Sequence, residues 1–317
     1  MARFVAKRLA LSVVTLFILS VIVFAAAQLL PGNVGRNVLG PFADQASVDL
    51  LNHQVGADRP VLVQYTAWIW KFVQGDMGQS LQYRVPVWSL LSDSLVNSLK
   101  LAAEAFALVV PLSILGGVAA ALRQGRLADR AITITGLSLT AIPEFVSAIF
   151  LIVAFGVFVK WLPVNAQWPE GTGILGQMKY LLLPSLALVM VLFGYIARMA
   201  RAGTIEALSA DYTRTAYLKG LGTPTVIRRH VLRNALLPTI AVIATQTGYL
   251  IGGLLVIEKL FNYNGIGQRI YIAAQNKDVT MLQSGVLLVG IVYLVATFAS
   301  DLLYSVLNPR IRFGSTE

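Results

Sequence analysis

Cysteine is absent from the 317 residues, and His occurs only twice. The first absence excludes a disulfide framework, thiol catalysis and thiolate metal sites. The second argues against a histidine-rich metal centre. Charged residues make up 13% of the chain, about half the ~25% usual in soluble domains. Enzyme signatures are missing as well. No glycine-rich loop ends in Gly-Lys-Ser/Thr, so the sequence has no P-loop for ATP, and neither HExxH nor GxSxG occurs. What abounds is apolar: 56% of residues, with a mean hydropathy of +0.71. Such a chain is too apolar for disorder. Length alone allows two soluble domains, but the composition is that of a membrane protein.

About 20 residues of helix cross the hydrocarbon layer. Leu9 to Gly35, Ala105 to Leu122, Tyr180 to Ala197, Asn234 to Ile257 and Val279 to Ser300 carry no Asp, Glu, Lys or Arg. Ala131 to Val159 is interrupted only by Glu144. These runs predict an all-α protein with six spans, near 9–30, 101–122, 133–158, 181–200, 235–257 and 282–306. Arg3, Lys7 and Arg8 resemble the head of a signal peptide. The apolar run behind them is too long, and it reads as a retained first span.

The formal net charge is +10. Nucleic acid does not explain it, because Lys and Arg lie between apolar runs. With the N terminus inside, fifteen of the 25 basic residues fall on the inner segments 1–8, 123–132, 198–234 and 308–317. The dense 198–234 segment decides the orientation, and both termini are expected in the cytoplasm. Residues 1–98 then hold the first span and a long outer loop. Residues 99–317 hold a five-helix core with an inner loop at 201–234.

In the outer loop, Asp44 to Val55 and Pro60 to Val73 have helical patterns. Val61, Leu62, Tyr65, Ile69 and Phe72 form a stripe beside Trp68 and Trp70, as on an interfacial helix. This loop either packs over the spans or meets an outside partner. Asn264-Gly265-Ile266-Gly267 lacks the third glycine and preceding strand of a dinucleotide fingerprint, and reads as a turn outside the membrane.

Charges at membrane depth invite a functional reading. Glu104 follows Lys100 by four residues, a spacing for a local pair. Asp301 lies near the inner end of the sixth span. Glu144 sits halfway along the third span, directly after Pro143, which frees a backbone carbonyl and kinks a helix. Two readings of Glu144 stay open: structural pairing, or a lining role in which it meets the α-amino group of a peptide-like cation. His230 and His53 read as ordinary interfacial side chains, and the scattered Met residues as filler.

The inner loop is amphipathic where a passive linker would be patternless. Ile205, Leu208, Tyr212 and Ala216 recur at helical spacing, with Glu206, Asp211, Arg214 and Lys219 off the stripe. Gly220-Leu221-Gly222 ends that helix. Thr223 reads as an N-cap and Pro224 as a first helical residue of a second one. Val226, Ile227, His230 and Val231 form its apolar side, with Arg228, Arg229 and Arg233 off it. Periodicity alone leaves an interfacial hairpin and a rigid docking knob as alternatives.

The order of several motifs resembles the dipeptide, oligopeptide and nickel permeases of bacterial ABC importers, on the side of their first, longer-looped subunit. They are Phe4-Val5-Ala6-Lys7-Arg8-Leu9, Leu30-Pro31-Gly32, Asp58-Arg59-Pro60, Val63-Gln64-Tyr65 and Gly75-Asp76-Met77-Gly78-Gln79-Ser80. Asp211-Tyr212-Thr213-Arg214-Thr215-Ala216, Lys219-Gly220-Leu221, Arg229-His230 and Leu232-Arg233-Asn234-Ala235-Leu236-Leu237-Pro238 follow. Phe261 with Gly265-Ile266-Gly267, and Leu307-Asn308-Pro309-Arg310-Ile311-Arg312, complete the series. Importer permeases in general carry Glu-Ala-Ala, three residues and Gly in this loop. In register with Gly220 those positions are Arg214, Thr215 and Ala216, so the Glu is replaced. Asn308 stands where the subfamily often has Asp.

The resemblance implies a type I ABC importer permease fold in the bacterial inner membrane. It implies a second homologous permease, two ATPase subunits and a periplasmic or lipid-anchored binding protein as partners, with no nucleic acid. ATP and Mg would sit on the ATPases, and this chain would bind no cofactor or metal and have no catalytic residue. ATPase coupling would fall on Asp211, Arg214, Thr215, Ala216, Lys219, Gly220, Leu221, Arg228 and Arg229. Glu144 and Pro143 become pathway candidates, and Gly265 and Gly267 periplasmic-loop candidates. The implied substrate is a dipeptide or oligopeptide, with nickel complexes, glutathione or oligosaccharides as alternatives. An ion-coupled secondary transporter would more often be longer and show an internal repeat, and none is visible. A membrane scaffold without transport is the other rival class. Copurification of an ATPase would argue against the first rival, and loss of uptake on deletion against the second.

Overall fold

The computed structural model describes residues 2–29 and 33–307, apart from the side chains of 2–4, 34, 37–38, 55 and 303–307. Leu30-Pro31-Gly32 and the 308–317 tail, with Asn308, lie outside the described residues. Those described form thirteen α-helices and two π-helical stretches, with no strand. In chain order the helices begin with α1 (Ala2–Gln28), α2 (Val34–Leu39), α3 (Gln45–Val55), α4 (Val61–Val73) and α5 (Val87–Leu122). Then come α6 (Leu127–Ala141), α7 (Glu144–Leu151), α8 (Ile174–Ser209), α9 (Asp211–Leu218) and α10 (Thr223–Val226). The last three are α11 (Leu232–Leu260), α12 (Ile266–Gln275) and α13 (Val279–Leu307). Ile152–Phe158 continues α7, and Ile227–Val231 joins α10 to α11, both as π-helix.

Among the described residues, five helical stretches are long and apolar enough to cross a membrane: α1, α5, α8, 223–260 and α13. The sixth predicted span is not one helix. It breaks between α6 and α7, whose axes differ by 106°. Pro143 accounts for the interruption, though not for the size of the angle. The residue before a proline is pushed out of the helical region, and Ile142 is extended at φ −80°, ψ 128°. A kink was expected; the chain turns through more than a right angle.

The chain divides into two compact units, Met1–Ser98 with Asn264–Leu294, and Leu99–Tyr263 with Val295–Glu317. In the first, Asp44 caps α3 by accepting from the Ala46 and Ser47 amides. Those bonds, Ser47 first, hold its carboxyl below the usual carboxylate range. The α4 stripe is Tyr65, Trp68, Ile69 and Phe72, while Leu62 faces out. Tyr65 Oη and Ser20 Oγ of α1 lie 2.9 Å apart, and Phe24 of α1 packs on Tyr65 and Trp68. Val87, Leu91, Ile266, Ala273, Met281 and Leu288 make this unit's core. Buried Asp278 binds the 76–87 segment to the start of α13. It accepts from the Met281 amide at 3.1 Å, from Ser80 Oγ and from the Gln82 amide at 3.3 Å.

The second unit is built around α8, which packs on α6, α7 and α11. Its core runs through Leu101, Ala105 and Val109 of α5, Leu188, Leu192 and Ile196 of α8, and Leu250, Leu254 and Ile257 of α11. In lipid, helices gain little by leaving water, so close backbone approach carries association. Small residues permit it here. A Cβ on Gly194 would meet Gly136 O and Thr140 Oγ1 of α6, one on Gly117 of α5 would meet Ala197 O and Ala200, and one on Gly203 would meet Ala235 O of α11.

Candidate functional site

The region predicted to be a knob begins where α8 ends. α8 continues past its apolar stretch to Ser209, and extended Ala210 (ψ 149°) turns the chain into α9. Thr213 Oγ1 donates to Ala207 O at 2.6 Å and pins α9 against the end of α8. α9 then closes with a Schellman motif. Gly220 takes φ +78°, its amide donates to Tyr217 O at 2.9 Å, and the Leu221 amide donates to Ala216 O at 3.3 Å. A left-handed residue here needs no Cβ.

The N-cap of the next helix is Gly222, not Thr223; Thr223 is already helical, with Pro224 inside the first turn. Gly222 O accepts from the Thr225 and Val226 amides. The expected stripe also shifts. Ala207, Ala216, Val226, Val231 and Ala235 form a small core with Leu208 packed on it. Thr213 is buried, and Tyr212 is exposed instead. The reason is the break at Ala210, which resets the helical phase between Leu208 and Tyr212.

The hairpin is therefore held by its own core and presents a free tip. Asp211, Arg214, Thr215, Lys219, Gly220, Leu221, Arg228 and Arg229 are all exposed, whereas Ala216 is buried. Thr215 Oγ1 is turned back onto Asp211 O at 2.9 Å. Tyr217 and Leu218 are exposed too, Leu218 at 79%. The sequence reading passed over these two. Their signal was two apolar residues just before the glycine turn, off the buried stripe. The tip thus carries apolar side chains ringed by cations, the composition of a protein contact core with a polar rim. Ile227–Val231 is π-helical, a form frequent at functional sites.

Glu144 opens α7, with Pro143 as its N-cap. Its half-buried side chain meets Tyr249 of α11, whose Oη donates to Oε2 at a long 3.5 Å. Gly253 of α11 leaves room there, since a Cβ on it would lie 3.2 Å from Oε2. The partner found is thus a hydroxyl. A carboxylate at the start of a helix is also favoured by the helix dipole. The predicted Lys100–Glu104 pair does not form. Lys100 Nζ donates to Gln177 Oε1 at 3.3 Å and lies over the Trp168 ring, while Glu104 is buried with Oε2 lacking a hydrogen-bond partner. Gly265 caps α12, and Gly267 lies within that helix rather than in a turn. Ser98 Oγ accepts from the Ile266 amide at 2.8 Å, and Asn97 Nδ2 donates to Asn264 O at 3.1 Å. No group of three or more His, Asp or Glu is placed to hold a metal among the described residues.

Residues 113–313 match the family model described as binding-protein-dependent transport system inner membrane component, and residues 1–102 match the N-terminal model of such components. The chain is 34% identical over 314 residues to the glutathione transport system permease protein GsiC of Shigella flexneri serotype 5b (strain 8401), covering 99% of this chain and 100% of that one. The protein of the same name from Escherichia coli (strain K12) is 34% identical over the same coverage. Among solved structures, an inward-facing MetNI methionine ABC transporter chain aligns with a TM-score of 0.50 and 17% identity, over 76% of this chain and 98% of that one. This last likeness speaks to the fold alone. Family models covering nearly the whole length, and relatives matched end to end, make this chain a member of the binding-protein-dependent inner membrane permeases, the non-catalytic membrane-spanning subunit of an ABC importer.

Proposed function

We propose that this permease moves small peptides or peptide-like solutes, glutathione among them, from a binding protein into the cytoplasm. The observation that carries the substrate class is the end-to-end 34% identity with permeases named for glutathione transport. Both termini lie in the cytoplasm on this reading, because the basic residues crowd onto 198–234. The hairpin of residues 214–229, within the 201–234 loop, docks one ATPase subunit. Tyr217, Leu218 and Leu221 enter its groove, and Arg214, Lys219, Arg228 and Arg229 meet acidic groups at the rim. Ala216 acts from within, in the small core, while Asp211 and Thr215 shape α9 from its exposed side. ATP and Mg stay on the ATPases. ATP binding draws the two ATPases together, and each hairpin moves with its subunit. Stiffness is the requirement, since a floppy loop would absorb the motion. The Schellman closure, the Thr213–Ala207 bond and the small core supply it. Gly265 and Gly267 shape the start of α12 on the periplasmic side.

Pro143 and Glu144 stand on the translocation path in this reading, at the bend between α6 and α7, with Glu144 meeting the substrate's ammonium group. The test is ATP-dependent uptake into proteoliposomes holding the whole complex. Competition by glutathione, dipeptides and oligosaccharides is measured in parallel with what the purified binding protein retains. Peptide competition and a retained peptide-like ligand are expected; retention of an oligosaccharide ends the substrate assignment. Glu144→Gln keeps size and hydrogen-bonding capacity, and is expected to lower uptake of free-amine peptides more than of N-acetylated ones. Unchanged uptake of every substrate removes Glu144 from the path.

A further inference from the structure

α8 runs unbroken from Ile174 to Ser209 and leads directly into the hairpin. Its crossings with α5, α6 and α11 at Gly117, Gly136 and Ala235 are made by small residues. Such crossings hold helices together through dispersion. They are smooth, and do little against sliding or rotation of one helix on another. A directional contact is needed to fix the register, and α8 has one near its hairpin end. Arg201 Nε donates to Asp129 Oδ1 at 2.6 Å and Nη2 donates to Oδ2 at 2.8 Å, a two-pronged fork. Asp129 is buried in the first turn of α6. It also accepts from the Gly125 amide at 2.9 Å and from Thr133 Oγ1 at 3.4 Å. One carboxylate thus ties the α5–α6 turn and α6 to α8, about 12 Å along the helix from Ser209.

We infer that Asp129 and Arg201 form a register clamp that makes the α5–α6 turn and α6 move with α8, so that displacement of the hairpin reaches the bend at Pro143. The pair is a weak source of stability, since removing two charges from water offsets much of their attraction. Its planar, two-bond geometry resists the sliding that the glycine crossings permit. The inference rests on the hairpin being the ATPase dock. It adds two positioning residues that touch neither ATP nor substrate.

The test uses the assembled complex in nanodiscs. Arg201→Lys keeps the charge and loses the fork; Asp129→Asn keeps the size and loses the charge. Both complexes are expected to assemble and hydrolyse ATP, while substrate moved per ATP hydrolysed falls roughly two- to thirty-fold, the span of a coupling contact. Wild-type transport per ATP in both variants overturns the clamp. Equal losses of assembly, hydrolysis and transport also overturn it, because they mark a merely structural pair. A second measurement leaves the pair intact. Cysteines at Gln124 and Ser209, both exposed in a chain without native Cys, carry spin labels. Their separation is expected to stay the same with and without ATP; a shift with nucleotide overturns the clamp. Cross-linking from a cysteine at Leu218 to the ATPase reads the dock separately. Its absence in otherwise wild-type complex sinks the docking reading, while the label separation still decides the clamp.

Discussion

At the scale of single residues, Gly220 separates two physical explanations for one requirement. Its φ of +78° strains any residue with a Cβ, yet beyond its two chain neighbours nothing among the described residues lies within 4 Å of where that Cβ would point. If the backbone sets the requirement, Ala costs about 1–2 kcal/mol and Asn less, since Asn tolerates the left-handed region. If the bare surface must fit a groove, Asn is worse than Ala because it is larger. ATP-driven uptake by Gly220→Ala and Gly220→Asn complexes is expected to rank glycine, then asparagine, then alanine. The reverse order of the two variants assigns the residue to the groove. The sequence made Gly220 conspicuous, but not which explanation holds. It showed nothing of Asp129 and Arg201, which are 72 positions apart and carry no motif.

Among the elements, the apolar runs marked five long helices and missed the shape of the sixth. Hydropathy measures whether residues tolerate lipid, and an extended Ile142 is as apolar as a helical one. Proline announces a disturbance without its size. The angle comes from how α6 and α7 each pack on α8. Pro143→Ala lifts the local bar to helix at Ile142. Two arms of about 22 Å turned by 106° place Leu127 and Phe158 roughly 25–30 Å apart, against about 47 Å for one straight helix. Labels at these exposed positions are expected to report the short distance in Pro143→Ala as well, because packing on α8 holds the bend. A population near the long distance would make proline its sole cause. The hairpin was legible as two helices about a glycine turn, because capping chemistry is local. Its buried face was not, because the phase reset at Ala210 has no sequence mark.

For the whole molecule, the class was legible from composition, because a chain this apolar and this poor in charge has few other places to fold. Orientation is a matter of where the basic residues fall, and it is tested by fusion. A reporter active only in the cytoplasm is expected to work after Glu317 and to fail within 165–175. Activity at the second site without the first inverts the assignment.

The Asp278 tether has a consequence in time. Ser80 and Asp278 are bonded across 198 positions of chain. At the usual 5–20 residues per second, a ribosome needs about 10–40 s to travel between them. For that interval the newly made 76–87 segment exists without the carboxylate that later holds it. Α-helices such as α4 can form early, but this segment has to wait for the chain's far end. A nascent permease stalled before residue 278 therefore carries this largely exposed segment untethered, and limited proteolysis is expected to cut it faster in stalled chains than in completed ones.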